Sequence, residues 1–406
     1  LVLATSLYAC RKTASVSNKV PKPGQIKIKE ALKDIWVAES RTGSITPMTL
    51  ARLGSKPSTG RLCMLSKRAM TKFLPKLAST LAMLVTAGCS GVNSSDRFDW
   101  KATESAPKNF PIEIISGTFF YHGQSGGSGL YIPSGGIIHK KGWGEMVSSH
   151  IVGPDLKPLP DKLHIKYFSY LEDQFYEGNF DLPYEKILFL FREGSKDKDN
   201  PEYNRIMVGV APGGSVSVWL TGQIKTTEVF FGQADPTEGQ LMAFGSPILD
   251  REAEVKAVLE AELSTGTLQR IREEGIPFDR WNNFRKRYHW KPVFMYGNEP
   301  RSGAQTKYFN GEGDRLFFPF DDKMAAQSRP IPMFMQFSYR SPEGWAYLYV
   351  IHFDEAEMMG AFSALGSNQE PLQLEFYPHM PYENTQIRLS NQDEAIVLKK
   401  YSIEDI

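Results

Sequence analysis

Pro160-Asp-Lys-Leu-His-Ile-Lys-Tyr-Phe-Ser-Tyr170, the polar step Leu171–Gln174, the run Phe175–Leu182 and then Pro183 before Tyr184–Phe191 form the stretch that decides the fold. Leu163–Tyr170 and Phe175–Leu182 are rich in aromatic and aliphatic residues on either side of a polar turn, which predicts two paired strands. Pro183, with its φ already suited to a first helical turn, predicts a short apolar helix over Tyr184–Phe191. Ile206–Val210 and Ser215–Leu220 read as a second hairpin around Ala211-Pro-Gly-Gly214. Strand, strand, helix, strand, strand with short connections implies an α+β fold of antiparallel sheets and a few helices.

Outward from this stretch, Ile112–Tyr121 alternates as a strand, and Gly123–Gly129 reads as a loop before Leu130-Tyr-Ile. Downstream, the pattern recurs 169 positions later: Phe168-Ser169-Tyr170 matches Phe337-Ser338-Tyr339, and Pro212 matches Pro381. In the same register Tyr176 falls on Trp345, Phe180 on Tyr349, Leu182 on Ile351, Tyr184 on Phe353, Leu220 on Leu389 and Gln223 on Gln392. Period-two matches in one register imply an internal duplication; the alternative is two unrelated β-rich stretches with a common pattern. Asp354 with Glu357 makes a capping box for a helix Glu355–Leu365. Between the copies Val255, Val258, Leu259, Leu263, Leu268 and Ile271 recur at helical spacing behind Asp250, with a kink at Ser264-Thr265-Gly266 and a stop at Gly275.

Composition divides the chain again. It has 406 residues with 47 Lys+Arg and 46 Asp+Glu; residues 1–88 hold 15 and 3 of these, a balance of +12, so residues 89–406 hold 32 and 43, a balance of −11. An anionic body argues against general nucleic-acid binding, which needs clustered cations to neutralise phosphates. Of Cys10, Cys63 and Cys89 only the last lies beyond residue 88, which excludes a disulfide framework or a cysteine zinc site from the folded part. Against that acidity, Arg280–Tyr288 is a basic-aromatic patch: Arg280, Trp281, Phe284, Arg285, Arg287 and Tyr288 are the candidate partner-binding residues, since Trp, Tyr and Arg are common interface anchors. The alternative is a connector helix whose aromatics pack inward and whose arginines offset local carboxylates.

Met70–Ser90, with Lys72 and Lys76 before an apolar run Leu77–Ala87 and then Gly88-Cys89, resembles a bacterial lipoprotein signal peptide. The run is about half the roughly 20 residues that span a bilayer. The resemblance implies cleavage before Cys89 and acylation of its thiol, with Ser90 pointing to the outer membrane; Thr86 departs from the Leu usual three residues before that Cys. Residues 1–69, rich in Ser, Thr, Lys, Pro and Gly, lack a sustained hydrophobic period. They read as a start-site artefact, or alternatively as a basic disordered arm. Ser90–Asn109 reads as a flexible tether.

The 160–170 run, Phe175-Tyr with Leu182-Pro183, and Val208-Gly-Val-Ala-Pro-Gly-Gly-Ser-Val-Ser-Val-Trp-Leu220 resemble the bacterial lipoproteins grouped as domain of unknown function 2931, most strongly over residues 150–235. Arg280–Pro292 resembles that group too, and residues 301–406 join it through the repeat. The resemblance carries over no catalytic residue; its association with lipase effectors of contact-dependent secretion implies an immunity role.

Catalytic motifs fare poorly in context. Gly123-Gln124-Ser125-Gly126-Gly127 fits the Gly-x-Ser-x-Gly elbow formally, but a strand rather than a helix follows Ser125. His352 near Asp354, Glu355 and Glu357, and Glu375 four before His379, lack the paired His spacing of a metal site. No phosphate-cradling Gly-x-x-x-x-Gly-Lys run occurs. The expected organisation is therefore a signal peptide at 70–88, a tether at 89–110, a first α+β lobe at 111–245, a helical connector at 246–300 and a second lobe at 301–406. The expected function is a lipid-anchored envelope protein, without cofactor or metal, that binds another protein, immunity against a lipase-type toxin being the concrete form. The alternatives are an envelope hydrolase and a structural outer-membrane lipoprotein.

Overall fold

A computed structural model describes residues 96–404, save 125, 126, 150, 198–200, 296–299, 301, 341–343, 345, 367–369, 380 and 381. The signal-like segment, Cys89, Ser125, Trp345 and Pro381 thus lie outside the described residues, and the described part of the expected tether, 96–110, is not a tether: it forms the strands Arg97–Asp99 and Lys101–Ser105 and buries Trp100, Ala102 and Phe110 in the core. The first half runs β1 (Arg97–Asp99), β2 (Lys101–Ser105), β3 (Ile112–Tyr121), β4 (Gly129–Tyr131), β5 (Ile137–Ile138), β6 (Leu156–Pro158), β7 (Pro160–Ser169), β8 (Gln174–Asp181), α1 (Tyr184–Gly194), β9 (Arg205–Val210), β10 (Ser215–Thr221), β11 (Thr226–Gln233) and β12 (Asp235–Thr237). One sheet has the order β12-β8-β7-β3-β4, and in another β2 lies parallel to β9, followed by antiparallel β10 and β11. Alternation in β3 buries Ile112 and Ile114, whereas every residue of β10 is buried because both its faces are covered. Val216, Val218 and Leu220 face the first core with Trp100, Ile165 and Phe191, while Trp219 belongs to the core of the second half.

A short hairpin, β13 (Met242–Ala243) and β14 (Ser246–Pro247), leads to α2 (Arg251–Glu262), α3 (Thr265–Glu274) and α4 (Arg280–Asn283). The Ser264 step is a full break: Asp250 caps α2 by accepting from Ala253 N–H, and Ser264 caps α3 by accepting from Thr267 N–H. Gly275 ends α3 with φ 80°. Val258, Leu259, Leu268 and Ile271 pack against Phe168, Tyr170 and Phe175 of the first half.

The second half runs β15 (Arg287–Phe294), β16 (Ala304–Tyr308), β17 (Gly313–Leu316), α5 (Asp322–Ala325), β18 (Ser328–Pro330), β19 (Pro332–Arg340), β20 (Ala346–Phe353), α6 (Glu355–Leu365), β21 (Leu372–Tyr377), β22 (Gln386–Ser390), β23 (Ala395–Leu398) and β24 (Tyr401–Ile403). Its pairings repeat those of the first. β15 pairs β18 antiparallel through Arg287–His289 and then β21 parallel through Trp290–Phe294, as β1 pairs β6 and β2 pairs β9. The hairpins β19–β20 and β21–β22 answer β7–β8 and β9–β10, α6 and α1 are both 11 residues long, and β24 lies against β20 as β12 lies against β8. Asp354 accepts from Glu357 N–H, but the Glu357 carboxylate bonds the N–H groups of Lys399 and Lys400, so the capping box is half made.

The halves meet directly. β11 pairs β17 at Thr226 and Gly313, and this joins strands of both into one nine-stranded sheet, β2-β9-β10-β11-β17-β16-β19-β20-β24. Trp219 Nε1–H donates to Asn310 O at 3.1 Å, and Lys307 Nζ pairs with Glu145 at 2.6 Å. Gly144 (φ 77°) and Gly311 (φ 84°) pass so closely that a Cβ on either would strike the other's backbone.

Candidate functional site

The basic-aromatic segment is not one helix. After α4 the chain turns, and Arg287 and Tyr288 open strand β15, because Trp290, Pro292 and Phe294 alternate into the core. Trp281 is 1% exposed, packed edge-on against Phe110 at 5.6 Å, and Phe284 is buried in a stack on Phe309 at 5.6 Å. Tyr288 is half-buried against Phe362, and burial raises its hydroxyl pKa. In this conformation Trp281 and Phe284 are core residues, and of the six candidates the surface keeps the three arginines and part of Tyr288.

Each arginine holds a carboxylate from a different element. Arg280 grips Glu355 at the start of α6 through two bonds, one of 2.8 Å from Nε. Arg285 Nε donates to Glu228 of β11 at 2.8 Å and its guanidinium covers the Phe231 ring, while Arg287 donates to Glu312 at 2.6 Å. Glu312 in turn accepts from Glu228 N–H at 3.0 Å, so both carboxylates belong to one network across the seam. Burial raises the Glu228 carboxyl pKa, against the pull of Arg285.

Two hollows flank this network. A groove of about 980 Å³ runs between residues 274–288 and α6, lined by Phe278, Arg280, Tyr288, Ala356, Gly360 and Ser363 among others. Phe278 is 51% exposed there, and Ala356, Gly360 and Ser363 form the exposed face of α6. Across the Arg280–Glu355 pair lies a second pocket of about 370 Å³, with Trp143, Phe309, Met333 and Phe334 in its wall and Lys108 and Lys141 at its mouth. The sequence pattern does not bring the two walls together, because Phe278 and α6 are far apart in the chain; Gly360, a glycine inside an otherwise helical run, is the one local signal of an open helix face.

The weighed metal groups are otherwise engaged. His352 pairs with Glu404 at 2.7 Å, Asp354 caps α6, and Glu355 holds Arg280. Glu375 accepts from Arg388, Ser390 and Tyr377. Among the described residues no three His, Cys, Asp or Glu side chains converge as a metal site, and no helix is long and apolar enough to cross a membrane.

Residues 89–279 match the family described as "Protein of unknown function (DUF2931)". The match takes in the 150–235 stretch, the whole of the first half and α2 and α3, and ends before Arg280. No curated protein and no solved structure matches the chain.

Proposed function

With residues 89–279 placed in that family, whose function is unknown, we propose that this chain is a lipid-tethered protein of the bacterial envelope that acts by binding another protein, as immunity against a secreted lipase-type toxin. The tether is the acylated Cys89, which the signal-like Met70–Gly88 segment supports. The observation that carries binding is the groove between residues 274–288 and α6. Its walls are clamped by the Arg280–Glu355 pair, yet it keeps Phe278 half in solvent and a helix face of small residues open. A fixed groove with an exposed aromatic suits the insertion of a partner segment, since rigid walls lower the entropic cost of docking. Occlusion of a toxin's active site needs no chemistry from the occluder, and the net −11 of residues 89–406 would speed capture of a basic partner.

Two measurements test this. Cys89→Ala should move the protein from the membrane to the soluble fraction. Titration of the full chain into a lipase-type toxin encoded beside it should inhibit the enzyme stoichiometrically, and Ala356→Arg in the groove should relieve inhibition. Turnover of a lipid or glycan by the purified chain itself would instead establish a hydrolase.

A further inference from the structure

We propose that the β13–β14 hairpin is a docking finger that seats in the Lys108/Lys141 pocket of a second copy of this chain. Met242 pairs Pro247 and Ala243 pairs Ser246, which leaves Phe244 and Gly245 as the two loop residues. Their φ angles are 50° and 81°. Two positive φ values make a type I′ loop, where Asn-Gly is the favoured pair, and a bulky side chain at positive φ is an outlier that local structure does not favour. The fold gains nothing in return: Phe244 is 109% exposed and Leu249 97%, and Met242 is half exposed. The base of the hairpin is nonetheless fixed, because Leu241 is buried, Ile248 N–H donates to Leu241 O at 2.9 Å and Gln240 Nε2 donates to Ile248 O at 2.6 Å. A strained, apolar tip on an anchored base is a feature to be explained by what it touches.

Charge selects the occupant. Asp235, Glu238, Asp250 and Glu252 are all exposed around the base of the finger, while two cations beside them are already engaged, Arg251 by Asp173 and by the rings of Phe168 and Phe175, and Lys166 by Glu177 and the Glu238 carbonyl. An apolar tip with an acidic collar fits an apolar socket with a basic mouth. The 370 Å³ pocket is such a socket: Trp143, Phe309, Met333 and Phe334 supply apolar wall, and Lys108 and Lys141 are exposed at its rim. Lys307 and Arg280, also in its wall, already hold Glu145 and Glu355, so Lys108 and Lys141 are the cations left to meet the collar. On a body of net charge −11 most of the surface would repel this finger, and the basic mouth is where a second copy would accept it. The same collar disfavours an anionic bilayer as the occupant.

Sedimentation equilibrium of the full chain carrying Cys89→Ser, so that no acyl chain contributes, reads the association directly. The wild-type surface should give a mass that rises reversibly with concentration. Phe244→Asn, the residue the loop geometry prefers, should weaken association by roughly 30-fold, the loss of one buried anchor, with the thermal midpoint unchanged or higher. Lys141→Glu should weaken it too, and Glu238→Lys combined with Lys141→Glu should regain part of the loss at low salt. A monomer at every concentration, or an association indifferent to Phe244→Asn, would overturn the proposal. So would a monomer in solution whose Phe244 binds phosphatidylcholine/phosphatidylethanolamine vesicles, which would assign the finger to a bilayer.

Discussion

Trp100 and Trp290 hold the same post in the two halves of the chain. Each is fully buried where its strand segment passes from an antiparallel partner to a parallel one, and each indole N–H donates to a proline carbonyl, Pro158 at 3.0 Å and Pro330 at 3.1 Å. Both prolines sit in matching runs, Lys157-Pro-Leu-Pro160 and Arg329-Pro-Ile-Pro332. The pair fixes the register between the halves more firmly than any repeated tripeptide.

Trp100→Phe and Trp290→Phe should therefore cost similar amounts. Each removes the indole's hydrogen bond to a buried carbonyl, at about 1 kcal/mol, besides the smaller ring. Urea unfolding is expected to show one transition, displaced alike by both substitutions, because β11 and β17 join the halves in one sheet. Two transitions, each moved by one substitution, would mean that the halves unfold separately.

Much of the fold was legible because its signals are local. The alternation of Ile112–Tyr121, the turn at Leu171–Gln174 and the Asp354 cap coincide with β3, the β7–β8 hairpin and α6. The single 169-residue register was legible only in part. Leu220 and Leu389 do occupy matching places, each paired with its inner neighbour, Ile206 and Leu374. Toward the front the spacing drifts to 172 at Pro158 and Pro330, and to 171 at Tyr184 and Glu355, so Tyr347 rather than Trp345 sits opposite the equivalent of Tyr167. Small insertions in loops shift register without altering pairings, and no fixed offset can follow them. Nor could the helical reading of Arg280–Tyr288 be separated locally from the strand that β18 and β21 impose on it.

At the seam, Gly144 and Gly311 cross with both φ values positive. Gly311→Ala must displace the Gly144 backbone or the Trp219 ring, and it also meets the cost of positive φ, roughly 1–2 kcal/mol. A loss of about 2–4 kcal/mol is expected from the two effects together. Amide exchange should localise it, with faster exchange at the Glu228 N–H that Glu312 accepts and little change in the α2–α3 region.

Acid sensitivity should be traceable to Glu262. Its hydrogen bond from buried His139, and then the one from Lys140, lower the carboxyl pKa below 4.5. A carboxyl with a depressed folded pKa adds stability that is complete above its unfolded value and lost as pH falls through the folded one. Glu262→Gln should thus lower the thermal midpoint at neutral pH and narrow its gap to wild type below about pH 4.5. A gap constant between pH 7 and pH 3 would reject this assignment.

The sharpest separation of stability from binding lies at Gly360. It is in the interior of α6, on the face open to the groove, and a Cβ there would meet nothing within 4 Å. The helix has no conformational need for it, since Gly in a helix interior costs about 1 kcal/mol relative to Ala. Gly360→Ala should therefore raise stability by about 0.5–1 kcal/mol, partly by restricting the unfolded chain. If a partner backbone lies against α6, as the proposed binding function requires, the added methyl should weaken inhibition of the toxin even as the thermal midpoint rises, and Gly360→Trp should abolish it. Glu370→Ala, outside the groove, controls for a surface change of similar size. A Gly360→Trp chain that folds and still inhibits stoichiometrically would remove the groove from the binding surface, whatever the fate of the immunity role.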